Sequence, residues 1–380
     1  MQKTYQHQLS NYQNPKPSLG PRGVLARLDL ILLFLIIILS GFGLIVLYSA
    51  SEQSQAIMAR QSSYLGAAFL GMLILAQIHP RHIERLATPL FVFGTLLLIA
   101  VLVMGTGAKG AQRWLAIPGL PRFQPSELMK LFVPILVASY LARRPIPSSL
   151  KHLFFSVVFI LLSVGLIAQQ PDLGTSILIG ASGFFVIFLA GVSWKVVMAS
   201  IVAALASLPG LWYVMRDYQR QRVLTLLDPE RDPLGSGWNT IQSKIAIGSG
   251  GMEGKGWLNG TQSHLDFLPE GHTDFIIAVL GEEFGFIGIL FVMLLYLMIV
   301  ARGAYIAITA DGTFNRLLAG SITLTFFVYV FVNIGMVTGL LPIVGVPLPL
   351  VSQGGTSLIT LMAGFGILMS INSDRSLMRH

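Results

Sequence analysis

Apolar runs close to twenty residues long follow one another along almost the whole chain, and that succession leaves few folds open. Such runs occur at 28–48, 63–78, 87–105, 127–142, 153–169, 175–192, 194–215, 275–301, 315–338 and 355–372. A helix needs about 20 predominantly apolar residues to cross the hydrocarbon of a bilayer. With 54% hydrophobic and 11% charged residues, against about a quarter charged in a soluble domain, most side chains must face lipid or one another. The expectation is an all-α polytopic integral membrane protein of about ten transmembrane helices. The fourth run is short and carries Pro134, and only Ser193, Trp194 and Lys195 mark the boundary of the sixth and seventh. Tilted or half-inserted helices there would change the count by one pair.

Orientation follows from Lys and Arg in the short connections, since long loops cross regardless of charge. With the amino end inside, the inner connections and tails carry 14 Lys and Arg, against 4 (Arg60, Lys109, Arg113 and Arg122) in the short outer ones. The net charge of +8 is then the positive-inside bias of a membrane protein rather than a nucleic-acid footprint. Residues 1–27, polar and rich in Gln, Asn and Pro, read as a disordered cytoplasmic tail. The first run is too long for the core of a cleaved signal peptide, so 28–373 form the transmembrane domain and 374–380 a second cytoplasmic tail. The polar stretch 216–274, between the seventh and eighth runs, becomes one large extracytoplasmic loop. The absence of cysteine excludes thiol catalysis, iron–sulfur clusters and disulfide staples. No internal repeat is visible, which weakens the case for an inverted-repeat transporter.

Several polar residues need a reason to be where they are. In the outer loop leading to the fourth run, Lys109, Arg113 and Arg122 sit among Gly and Pro beside Trp114, either as interfacial anchors or as groups that meet a phosphate and an apolar chain together. Glu127 and Lys130, three apart on a helix, share a face and can pair, and a lone lysine at bilayer depth costs some 2.5–3.5 kcal/mol on insertion scales. A structural clamp and a substrate site fit them equally. Asp172 in QQPDLGTS suits an N-cap of the sixth span and equally a carboxylate at the outer mouth.

The large loop concentrates charge. Arg216, Arg220 and Arg222 gather at its start, where they can attract phosphate or lipid headgroups. Asp228, Glu230 and Asp232 fail as a calcium loop, because Pro233 and Asn239 stand at its sixth and twelfth positions. The glycines of IQSKIAIGSGGMEGKGW fail both nucleotide-loop patterns. What remains is a short helix and a glycine turn presenting Lys255 beside Trp257, suited to an anionic lipid head. Asp266, Glu270, His272 and Asp274 follow within nine residues, more titratable groups than capping the next helix requires. A helix starting near His272 would hold Asp274 in its first turn. Glu282 and Glu283 lie deeper, as functional candidates by default. The connection GLLPIVGVPLPLVSQGGTS, rich in Pro and Gly, is tolerated at membrane depth only when buried or lining a cavity, and is expected to wall the site.

Taken together, GAQRWL with RFQPSE, AQQPDLGTS, DYQRQRV, IQSKIAIGSGG, GKGWLNGTQS, FLPEGHTDF and NIGMVTGLLPIVGVPLPLVSQGGTS resemble the SEDS family (shape, elongation, division and sporulation) in order over residues 25–373. The large loop is most similar to the elongation branch. The resemblance implies a peptidoglycan glycosyltransferase that polymerises lipid II into glycan strands at the outer face of the cytoplasmic membrane. It also implies a class B penicillin-binding protein as crosslinking partner, beside other membrane proteins of the elongation complex. By the same resemblance the essential carboxylate falls on Asp274, the aromatic residue of the first large outer loop on Trp114, the intramembrane pair on Glu127 and Lys130, and a further acid on Asp172. His272 and Ser352 complete the substrate-binding candidates. Relatives usually carry Tyr where this chain has Gln353.

On that reading Asp274 is the base for an attacking sugar hydroxyl. Arg113, Lys130, Lys255 and the arginines 216–222 are candidates to meet the departing diphosphate, alone or with a divalent cation such as Mg or Mn. An α-linked donor and a β-linked product require one inverting displacement. A lipid II flippase and a non-catalytic scaffold of the wall-building complex are the alternatives the residues leave open.

Overall fold

The computed structural model describes residues 27–108, 111–115, 122–145, 149–215, 217–228, 236–261 and 271–377. Expectations placed on residues 1–26, Lys109, Arg216, Glu230, Asp232, Asp266 and Glu270 fall outside the described residues. The described chain is almost entirely helical, because in hydrocarbon each backbone N–H and C=O must find a partner within its own segment. In order it forms α1 Leu30–Ala50, α2 Gln55–Gln77, α3 Pro80–Arg85, α4 Ala87–Met104, α5 Pro125–Ala142, α6 Leu150–Gln169 and α7 Leu173–Leu189. These are followed by α8 Trp194–Val214, α9 Asp217–Leu227, α10 Ser236–Ser249, α11 Ile276–Thr309, α12 Thr313–Val337 and α13 Thr356–Leu377. Seven of these, α1, α4, α5, α6, α11, α12 and α13, are long and apolar enough to cross a membrane, and α7 is a shorter apolar helix. The chain is a multi-pass membrane protein.

Burial separates a centre from a rim. In their most apolar stretches α5 is 72% buried and α12 and α13 each 67%, whereas α4 and α6 are only 28% buried. Apolar residues run all round these helices, so burial, and not hydropathy, marks which face meets protein and which meets lipid. The centre is α5 against α7 and α12, with α11 along α12 and α13 along α2. Pro134 lies inside α5 without ending it. Two features depart from the sequence reading. Thr106–Ala108 and Ala111–Trp114 pair as a small antiparallel hairpin, β1–β2, before α5. The eighth run is not one straight helix either: α11 breaks at Gly285 (φ 63°, ψ −162°).

The end of the bundle that carries the start of α1 and the end of α13 is tied by side chains. Asp29, 3% exposed, caps α1 through the Leu32 N–H at 3.0 Å, pairs with Arg302 at 2.8 Å and accepts from Asn372 Nδ2 at 3.0 Å. One carboxylate thus fastens α1, α11 and α13. His79 Nδ1 accepts from the Arg81 N–H at 3.2 Å, while its Nε2 meets Asp374 at 2.8 Å. Burial pulls this imidazole below its ordinary pKa although Asp374 opposes the shift, which agrees with a neutral ring donating from Nε2.

Removing one partner of a buried ion pair leaves the other charge without compensation, at a cost of roughly 3–5 kcal/mol. Asp29→Ala should therefore lower the thermal unfolding midpoint in detergent clearly, and Asn372→Ala only slightly. Equal midpoints for Asp29→Ala and wild type would show that the cluster does not fasten this end.

Candidate active site

At the opposite end of the bundle α12 acts as a ruler. Tyr329 and Asn333, four residues apart, lie on one face and about 6 Å apart along the axis at 1.5 Å per residue. The Tyr329 hydroxyl accepts from Lys130 Nζ, and Lys130 pairs with Glu127 at 2.6 Å. The other carboxylate oxygen of Glu127 accepts from Thr360 Oγ1 of α13 at 3.2 Å. Glu127 and Lys130 are both buried, so the pair joins α5, α12 and α13 and does not face lipid. One turn on, Asn333 Nδ2 donates to the Asp274 carbonyl at 2.9 Å and to the Val346 carbonyl at 2.7 Å.

Asp274 therefore reaches the site through its backbone. It lies in a turn, Gly271–Phe275, and α11 starts at Ile276 with Phe275 as its cap residue. The expected position in the first helical turn is thus corrected: Asp274 precedes the helix, because its carbonyl is taken by Asn333 and begins no helical ladder. Around it lies the connection between α12 and α13. A Cβ on Gly345 would stand 3.5 Å from Asp274 Oδ2, and the Gln353 N–H donates to the His272 carbonyl at 3.0 Å.

A second cluster adjoins this one. Asp172 caps α7 through the Thr175 N–H at 3.2 Å, accepts from Gln124 Nε2 at 2.7 Å, and lies 3.7 Å from Arg113. Arg113 comes from β2 and also donates to the Pro171 carbonyl. Cap and mouth carboxylate are thus one residue with both contacts. Two residues on, the space beside Gly174 is filled by the Val344 carbonyl at 2.7 Å and the Val346 side chain, which brings this cluster against the wall beside Asp274. Among the described residues Arg113 Nε and Asn333 Oδ1 are buried without a hydrogen-bond partner. Polar atoms in that state mark places where a polar ligand can bind. Beneath Lys130 lies a small, mostly apolar recess of about 30 Å3, lined by Ile322, Thr325, Phe326, Tyr329, Leu361 and Phe365 among others.

The remaining candidates are placed as follows. Trp114 is half-buried on β2, next to Arg113. Ser352 is buried, and its hydroxyl accepts from the Leu348 N–H at 2.9 Å within its own turn. Lys255 pairs with the fully buried Glu282 at 2.7 Å, its own side chain remaining 28% exposed. Trp257 beside it donates to the Ile45 carbonyl at 3.1 Å. Arg220 donates to the Trp212 and Tyr213 carbonyls at 2.9 Å each, ending α8. Arg222 lines a recess with Thr240, Gly339 and Pro342, and Lys244 Nζ lies 2.7 Å from the place of a Gly339 Cβ. Tyr329, Asn333, Gln124, Lys244 and Gln61 were not singled out from sequence. Gln61, buried in α2, holds the Ser352 carbonyl at 3.3 Å and the Gly354 N–H at 3.2 Å. Among the described residues no three His, Asp or Glu side chains gather to hold a metal ion.

With this geometry in view, the comparisons decide the family. A family model described as cell cycle protein, covering FtsW, RodA and SpoVE, matches residues 29–377. The chain belongs to this family, the SEDS family that its motifs resemble. It is 52% identical over 352 residues to the peptidoglycan glycosyltransferase MrdB of Escherichia coli K12, covering 92% of this chain and 95% of that one. To the probable peptidoglycan glycosyltransferase FtsW of Geobacter sp. M18 it is 37% identical, covering 91% and 96%. Among solved structures it matches the rod shape determining protein RodA of Thermus thermophilus with TM-score 0.70 at 29% identity, covering 92% and 97%. It also matches a chain from a peptidoglycan synthase complex that coordinates polymerization and crosslinking, with TM-score 0.80 at 33% identity, covering 92% and 98%.

Two substitutions rank the contacts of Lys130. Glu127→Gln removes the counter-charge of a buried lysine, roughly 3–5 kcal/mol; Tyr329→Phe removes one hydrogen bond to a charged group, roughly 1.5–3 kcal/mol. Thermal unfolding in detergent should give the lower midpoint to Glu127→Gln, and the reverse order would make Tyr329 the principal partner.

Proposed function

We infer that this SEDS protein is a peptidoglycan glycosyltransferase that polymerises lipid II into glycan strands during cell elongation. The observation that carries the reading is the register of α12. It holds the Asp274 backbone, through Asn333, one helical turn from where Tyr329 meets the buried cation Lys130. A transfer between lipid-linked sugars needs a base at one point and positive charge at another, a few ångströms away.

The acceptor hydroxyl oxygen forms a bond to the donor's anomeric carbon while the bond from that carbon to the diphosphate oxygen breaks. The hydroxyl proton passes to Asp274, and the electron pair leaves with the polyprenyl diphosphate. Arg113 and Lys130 are assigned to the departing anion, since a cation in a water-poor site stabilises developing charge far more than one in water. Lys255, spent on Glu282, is left out of this group; Arg222 and Lys244 at the outer rim suit the first encounter with a phosphate. The small apolar recess beneath Lys130 is where the apolar chain next to the diphosphate would approach the bundle. Trp114 and His272 flank the sugar-binding region in this assignment. One displacement inverts the anomeric centre, so no glycosyl-enzyme forms.

We place the reaction on the outer face of the cytoplasmic membrane, with both termini inside. The end of the bundle fastened by Asp29 also carries Arg27, Arg81, Arg143, Arg302 and Arg316, as the positive-inside preference requires of a cytoplasmic face. A class B penicillin-binding protein that crosslinks the strands is the partner, in keeping with the likeness to a chain of a synthase complex.

General-base catalysis contributes typically 10²–10⁴-fold, and Asp274→Asn should lose polymerisation by about that factor. The assay is strand synthesis from labelled lipid II by purified wild type and variant, each with a partner whose transpeptidase site is disabled. Equal strand synthesis by both would remove Asp274 from the mechanism. A wild type that moves lipid II across vesicles without polymerising it would make the protein a translocase.

A further inference from the structure

The proposed mechanism makes no use of Glu282 and Glu283, two acids at membrane depth, yet both are buried and both are engaged. α11 breaks at Gly285, two residues beyond Glu283. Its first piece, Ile276–Glu283, is buried throughout and begins two residues after Asp274. The glycine turn after α10 closes over the break. The Lys255 N–H donates to the Glu282 carbonyl at 2.9 Å and the Gly256 N–H to the Glu283 carbonyl at 3.0 Å; in the other direction the Phe286 N–H donates to the Gly251 carbonyl at 2.9 Å and the Ile287 N–H to the Met252 carbonyl at 3.2 Å. A Cβ on Gly250 would stand 1.9 Å from the Gly281 carbonyl oxygen, and one on Gly254 2.1 Å from that of Glu283. Only glycine lets the two backbones approach so closely.

Side chains lock this clasp. Glu282 Oε1 accepts from Lys255 Nζ at 2.7 Å, from the Thr261 N–H at 2.8 Å and from Thr261 Oγ1 at 3.0 Å. Lys255 Nζ also donates to Thr261 Oγ1 at 2.7 Å. Glu283 accepts from Ser49 Oγ of α1. Glu282 thus stands at the far end of the short helix that Asp274 precedes, about 12 Å away at 1.5 Å per residue, and it holds Thr261 directly. Thr261 and Asp274 are the two flanks of one stretch of the large loop.

We propose that Glu282, with Lys255, is a positioning residue for Asp274. Their contact with Thr261 and the clasp over the Gly285 break fix the far end of the short helix, Ile276–Glu283, whose near end follows the Asp274 turn. The proposal rests on the reading of Asp274 as the base. Misplacing a reacting group by about 1 Å can cost 10²-fold, so loosening the clasp acts on kcat, while KM, set by the cations and the apolar recess, is spared.

The test uses the full-length protein in nanodiscs with its transpeptidase-inactive partner and labelled lipid II. Glu282→Gln should lower kcat about tenfold or more with KM within about twofold of wild type. Lys255→Met, which leaves a buried carboxylate without its cation, should do worse, and the double variant should recover above Lys255→Met alone, as expected of groups that act as a unit. Thr261→Ala, at an exposed position that does not support the bundle, should lower kcat a few-fold. The chain has no cysteine, so spin labels at Glu52→Cys and Asn259→Cys can report the clasp: a narrow distance distribution in wild type and a broad one in Glu282→Gln. Lost activity with a narrow distribution would assign Glu282 another task, and a broad distribution with full activity would deny the clasp any part in positioning. If Lys255 meets the diphosphate itself, the double variant will not recover and KM will rise. A wild type without polymerising activity would fail the functional reading instead, and is distinguished by the control alone.

Discussion

A helix interrupted inside a bilayer frees backbone groups that neither lipid nor water will satisfy, and each such group left alone costs several kcal/mol. In this protein the interruption is at Gly285 in α11, and its answer is a segment of the large loop that supplies two N–H donors and two carbonyls at 2.9–3.2 Å. The loop is therefore part of the membrane domain and not an appendage to it. Because the repair is made by backbone, it constrains the chain more tightly than side-chain contacts would: the turn has one register, and glycines at 250 and 254 are the residues that allow it. The short helix isolated by the break then starts where Asp274 ends, so the geometry that removes an energetic penalty also sets where a carboxylate can stand.

The same reasoning extends to charge. Asp29 with Arg302, Glu127 with Lys130 and Glu282 with Lys255 are ion pairs with a deeply buried carboxylate; the first and third join segments distant in sequence, and the second, within one turn of α5, reaches α12 and α13 through Tyr329 and Thr360. Pairs of this kind bring little net stability but make wrong arrangements expensive, since separating the partners strands a charge. One fastens the end of the bundle that carries the start of α1 and the end of α13, one the α5, α12 and α13 contact, and one the loop. At the centre of the molecule α12 meets Lys130 through the Tyr329 hydroxyl and the Asp274 backbone through Asn333, one turn apart and in each case through a neutral side chain.

Much of this was legible in the sequence, for physical reasons that can be named. Apolar runs bounded by charge report spans directly, because lipid penalises anything else, and the seven described helices long and apolar enough to cross a membrane fall on expected runs. Glu127 and Lys130 were visible as a pair because helical spacing alone places them together. Asp274 stood out through the density of titratable groups around it. What remained hidden depends on contacts between remote segments. Tyr329 and Asn333 look like ordinary members of an uncharged span until α12 is set against α5 and the loop. Gly285 is one glycine among many in apolar helices; its positive φ is decided by the turn that docks on it. Lys255 beside Trp257 resembles a headgroup anchor by composition, and only the fold reveals Glu282 beneath it. The β1–β2 hairpin was missed because a glycine-rich stretch between spans carries no alternation to betray a strand.

Position 353, where relatives usually carry tyrosine, shows how a departure from a family pattern can be neutral in one respect and informative in another. The contact this residue makes toward the site is its backbone N–H, donated to the His272 carbonyl at 3.0 Å, and any residue except proline can make it. The turn around it is maintained by its neighbours, through the Ser352 hydroxyl on the Leu348 N–H and through Gln61, which grips Ser352 and Gly354 on either side. A glutamine can therefore replace a tyrosine without disturbing how the wall meets the Asp274 turn. The side chain at 353 is half-buried and takes no part in this bracing, whereas Ser352 and Gly354 are each held by their backbone from Gln61.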